Sequence, residues 1–164
     1  MTLEQAIITW IHLVSAAVWV GGSLFLGVVL APILKKMSMP LEERLQIMIK
    51  VGRRFNRIAV PSLIILIATG LYSSQQVLIN PEILLSTSYG SYLVIKILLV
   101  IALVIAFAVH VRIIRKDVEE KIMSKQMSEV QIKKLRIRII ILGEITVVIS
   151  VAILFFAAIL DAGV

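Results

Sequence analysis

The stretch "YGSYLVIKILLVIALVIAFAVHVRIIRK", residues 89–116, decides the fold. Every residue from Ile97 to Val109 is apolar, yet Lys96 stands at one end and His110 at the other. A helix needs roughly 20 apolar residues to cross the hydrocarbon core of a bilayer. Three further blocks meet that length, so the expected spans are 6–34, 58–79, 91–111 and 137–160. The chain of 164 residues is 60% hydrophobic, with a mean hydropathy of +1.03. A soluble domain would distribute such residues on a helical or alternating period. A closed barrel would need short alternating segments, which are missing. The expectation is an all-α polytopic membrane protein, a single four-transmembrane-helix bundle over residues 1–164.

Charge adds orientation. All of Lys35, Lys36, Arg44, Lys50, Arg53, Arg54 and Arg57 fall between spans one and two. Arg112, Arg115, Lys116, Lys121, Lys125, Lys133, Lys134, Arg136 and Arg138 fall between spans three and four. The remaining basic residue is Lys96. By the positive-inside rule both basic loops face the cytoplasm and both termini lie outside a cytoplasmic (plasma) membrane. The net charge of +7 is therefore a topology signal, and nucleic acid is not an expected partner. The first block opens with Glu4 and no basic residue, and it is too long for a cleaved signal, so it is expected to stay. Cysteine is absent, which excludes disulfides and thiolate metal sites. No nucleophile–histidine–acid set, phosphate-binding glycine loop or zinc motif is apparent either, which argues against a hydrolase.

Residues 41–55, "LEERLQIMIKVGRRF", are too charged to span. Leu41, Leu45, Met48, Gly52 and Phe55 share one helical face, which predicts a short cytoplasmic amphipathic helix leading into span two. "SEVQ" (128–131) fits a capping box that starts the last helix before the membrane. "NPEILLSTSYG" (80–90) reads as an outer loop. Small residues in span one, and Thr69 with Gly70 in span two, suit close helix packing.

Ionisable residues within spans face a bundle interior and find partners. At 1.5 Å per residue, His12 and Lys96 lie about 9 and 8 Å below the outer end. His110 lies about 29 Å down, and Glu144 about 10 Å above the inner end. Two tiers result. The outer joins His12 and Lys96, with Glu4 or Asp161 within reach; the inner joins His110, Arg112 and Glu144 with Arg53, Arg54 and Arg57. A Glu144 ion pair with Arg57 or Arg112 is expected. The two imidazoles differ in depth by too much to ligate one haem iron. His12 and His110 are candidate metal ligands; His12, Lys96 and Trp19 are candidate cofactor-binding residues. Plainer readings stand beside these: a snorkelling Lys96, a His110 bonded to a carbonyl, a His12 making one interhelical bond. Met37, Met39, Met48, Met123 and Met127 are soft donors at the cytoplasmic side, suited to Cu(I).

"HLVSAAVWVGGSLFL", "RRFNRIAV", "ATGLY" and "YGSYLVIKILLV", followed by Glu144, resemble the copper resistance protein D family in order and topology. That resemblance implies copper homeostasis at the cytoplasmic membrane, with a copper ion bound or passed across. The first span is more loosely similar to HemJ-type protoporphyrinogen oxidases, which would instead imply a haem b or quinone redox protein with His12 as a ligand. A non-catalytic subunit of a larger complex, or an oligomer, is the third alternative. The orientation is directly testable: a phosphatase reporter fused to the C-terminus is expected to be active and a fluorescent-protein fusion dark. The reverse pattern contradicts it.

Overall fold

The computed structural model describes residues 2–163. Helix α1 runs Leu3–Lys36, α2 Leu41–Leu78, α3 Pro81–Ser86, α4 Ser88–Ile113, α5 Lys116–Met123 and α6 Glu129–Ala162. Four helical stretches, those starting at Leu3, Leu41, Ser88 and Glu129, are long and apolar enough to cross a membrane. The protein is a multi-pass all-α membrane bundle. Its outward apolar surface agrees: Trp10, Leu98, Ile105, Val148 and Phe155 are all exposed, a belt that water would not tolerate and lipid does.

Local chemistry sets the ends. Thr2 accepts from the Gln5 N–H while the Gln5 side chain accepts from the Thr2 N–H, and Ser128 with Gln131 repeats the arrangement at α6. The second of these is the capping box read from the sequence. The amphipathic stretch 41–55 is not a separate helix, because nothing between Phe55 and Ile58 breaks the backbone hydrogen bonding. It continues unbroken into the span as one 38-residue helix. Pro61 lies within it, and Ser62 Oγ donates to the Ile58 carbonyl one turn back.

The expected outer loop 80–90 also contains helix. Pro81 starts α3 at a position where its missing N–H costs nothing. Thr87 then caps α4 by accepting from the Gly90 N–H. Gly90 must be glycine, since a Cβ there would stand 2.6 Å from the Ile83 carbonyl oxygen.

α4 and α6 form the most extensive helix pair, and the outer half of α1 packs on α2. From Ala17 inward α1 also meets α6. Two stretches of α1, Ala17–Gly21 and Phe25–Leu30, are π-helical. Two apolar clusters hold the bundle. Trp19, Val20, Ala59, Leu63 and Leu103 meet at mid-depth. Leu45, Ile49, Ile114, Ile122, Ile132 and Ile139 form a second core at the end carrying the basic loops, called inner here.

That inner core is pinned by an ion pair the sequence reading missed. Glu119 of α5 is only 7% exposed and accepts from Arg53 of α2, with Lys50 Nζ at 3.7 Å. A buried carboxylate without its cation is costly, and so is the reverse. Arg53 is partly exposed, which reduces the effect. Glu119→Gln is expected to cost about 2–3 kcal/mol. The exposed neighbour variant Glu120→Gln should stay within about 0.5 kcal/mol of the parent in detergent unfolding. Equal midpoints for the two variants would remove the pair from the account.

Candidate functional site

Two cavities lie between the helices, one toward each end. The outer one, about 400 Å³, is walled mostly by apolar side chains of α1, α2, α4 and α6. His12, Lys96, Ser74 and Ser150 supply its polar side chains. His12 comes from α1 and Lys96 from α4, so the structure brings this expected pair to one space.

The hydrogen bonding of His12 fixes its tautomer. Its Nδ1 lies 2.6 Å from Thr69 Oγ1, and that hydroxyl is also 2.6 Å from the Ile65 carbonyl oxygen. A carbonyl can only accept, so the single hydroxyl proton goes to Ile65. Thr69 therefore accepts from His12, whose Nδ1 carries the proton. In the neutral ring this leaves Nε2 with a free lone pair, the state a metal ligand needs. Thr69, read from the sequence as a packing residue, is thus the group that orients His12. Glu4 does not join this cavity: Tyr72 Oη donates to its carboxylate at 3.1 Å. Asp161 is exposed and lies outside the lining as well.

The inner cavity, about 410 Å³, receives His110 from α4, Met48 and Asn56 from α2, and Glu144 and Arg136 from α6. His110 Nδ1 is buried with no protein partner. Arg44 closes the end of α1 by donating to the carbonyls of Lys35 and Met39, each at 3.0 Å. The Lys35 carbonyl is one that a helix C-terminus leaves unpaired, and Met39 lies in the connection to α2.

The expected inner cluster needs correction. Arg54, Arg57 and Arg112 are exposed and line neither cavity. Among the described residues the side-chain ion pairs go to Glu119, so Glu144 pairs with neither Arg57 nor Arg112. Helical geometry gives the reason. Met48, Gly52, Phe55 and Asn56 form the inward stripe of α2, and Arg57 is about 200° round from Phe55. Arg112 is displaced from His110 by the same angle on α4. Of the methionines, Met48 lines a cavity, Met127 packs on the inner core, and Met37 and Met123 are exposed. Glu119 carried a signal: on the short helix α5 it is the acid nearest the face of Val118 and Ile122.

Trp19 stands between the two cavities. It is 2% exposed, its Nε1 donates to Ser150 Oγ at 2.9 Å, and its ring meets Phe107 edge-on at 4.9 Å. Ser150 in turn donates to the Thr146 carbonyl at 2.8 Å.

The profile of copper resistance protein D matches residues 49–160, well over half of the chain. The chain belongs to the copper resistance protein D family. The matched segment takes in most of α2 and all of α3, α4 and α5, with nearly all of α6; α1, with His12 and Trp19, precedes it. No curated protein matches the chain, and no solved structure does. Family membership makes this a copper-resistance membrane protein in general terms.

The tautomer can be checked without any metal. Nitrogen NMR of histidine-labelled protein is expected to show His12 protonated at Nδ1, a state retained in Thr69→Ser and lost in Thr69→Val. An unchanged Thr69→Val spectrum, or a proton on Nε2 in the parent, would contradict the assignment.

Proposed function

We propose that the protein takes copper at His12 Nε2 in the outer cavity and passes it toward the inner cavity. There His110, Met48 and Glu144 are the available donors. The observation that carries this reading is the 2.6 Å contact of His12 Nδ1 with Thr69 Oγ1, which leaves Nε2 as the ring's acceptor on a cavity-lining residue in a chain from a copper-resistance family. Imidazole and thioether are donors that suit Cu(I).

The donor set also speaks for cargo rather than a resident centre. Among the described residues no group of three His, Cys, Asp or Glu is placed to hold a metal ion. Lys96 lines the same cavity as His12, and a protonated amine there opposes a second positive charge in a poorly screened space. A copper ion held by a single imidazole would leave readily. A haem held by two imidazoles is poorly served, because His12 and His110 line different cavities.

Elemental analysis and a visible spectrum of purified protein, followed by copper accumulation in proteoliposomes, test the proposal. Copper without a Soret band is expected in the parent, and His12→Ala should lower both binding and accumulation by about tenfold or more. Glu4→Gln serves as a control and should leave both unchanged. Full copper binding by His12→Ala would overturn the reading.

A further inference from the structure

Among the described residues Trp19 alone lines both cavities. Everything else divides around it. Leu103 and Ser150 face the outer cavity, whereas Phe107 and Thr146, one helical turn further in on the same two helices, face the inner one. The partition is therefore about one side chain thick. It is also built rather than incidental. The indole N–H is tied to Ser150 of α6, and the ring edge abuts Phe107 of α4. Phe55 of α2 occupies the space a Cβ on Gly22 would need, one turn inward from Trp19. All four long helices converge on this one indole.

The backbone beneath Trp19 is unusual as well. Ala17–Gly21 is π-helical, with a second π-helical stretch at Phe25–Leu30. Single π turns inside α-helices occur often at functional sites. Rewinding such a turn by one residue rotates the side chains it carries by about 100°. That rotation would swing the indole out from between the cavities.

We infer that the two cavities are the halves of a single transmembrane passage and that Trp19, latched to Ser150, is its closed gate. The inference deepens the copper reading only in saying where the barrier sits. The passage itself follows from cavity geometry and does not depend on which solute uses it. Opening requires the Trp19–Ser150 bond to break and the indole to leave the space between Leu103 and Phe107.

The absence of native cysteine permits a direct test. Ser74→Cys reports the outer cavity. Gly143→Cys reports the inner one, and a Cβ at Gly143 meets nothing within 4 Å. A charged, membrane-impermeant methanethiosulfonate reagent is applied to one face of sealed vesicles at a time. With Trp19 present, Ser74→Cys should react from one face and Gly143→Cys from the other. Adding Trp19→Ala should make Gly143→Cys react from the Ser74 face faster by about tenfold or more. Ser150→Ala, which keeps the indole and removes only its latch, should give a smaller increase in the same direction. It serves as the informative variant should Trp19→Ala fail to fold.

Three results would overturn the gate. One is rapid labelling of Gly143→Cys from the Ser74 face with Trp19 and Ser150 intact. Another is failure of Gly143→Cys to react from either face. The third is unchanged labelling in folded Trp19→Ala or Ser150→Ala protein. No copper enters this assay. A working gate without copper binding would therefore sink the copper reading alone, and copper binding without a gate would sink this inference alone.

Discussion

Lipid offers no hydrogen bonds, so each polar group carried into the bilayer must be satisfied from within the protein. The bond from Trp19 Nε1 to Ser150 Oγ is where this constraint shapes the whole bundle. An indole N–H at mid-depth needs an acceptor. Ser150 supplies it while donating its own proton to the Thr146 carbonyl. The same economy operates at Ser62 and Thr146, whose hydroxyls close on carbonyls one turn back. Polar groups satisfied in this way do not call water inward. Polar side chains that line open space include His12, Lys96 and Ser74 on one side of Trp19, and His110, Asn56, Arg136 and Glu144 on the other.

Much of this was readable in the amino-acid order. Four greasy blocks give the spans because the bilayer imposes its own length scale. The capping box at Ser128 was legible because its geometry is local. The two tiers followed from rise per residue alone, and the structure places His12 and His110 in separate cavities. Rotation about the helix axis was harder to read. Arg54, Arg57 and Arg112 belong to the same inner end as Glu144 but are exposed and line neither cavity. A 200° turn is invisible when nearly every neighbouring residue is apolar and no stripe marks the inward face. Glu119 escaped notice for a different reason. It lies on a short helix whose docking partner, Arg53, is 66 residues away in the chain. The role of Thr69 required two distances to a single hydroxyl, which no sequence pattern contains.

The functional reading draws on both levels. Family membership points to copper resistance, and under the proposal the outer cavity would offer a copper ion one oriented imidazole in largely apolar surroundings. A site of that kind is poor at storage and suited to transfer. The Arg53–Glu119 pair and the isoleucine-rich inner core tie together the inner ends of α2, α5 and α6.

The claim on which this account rests is that Trp19 is sealed from water and from lipid at once. The chain has two tryptophans, and Trp10 is exposed near the outer end, so Trp10→Phe leaves Trp19 as the only indole. Its fluorescence in vesicles should then be blue-shifted and only weakly quenched by iodide, acrylamide and brominated acyl chains, because the residue is 2% exposed. Strong quenching by brominated lipid would place the indole on the bundle's outer face, and strong quenching by iodide would place it in a water-filled channel. Either result would contradict the account.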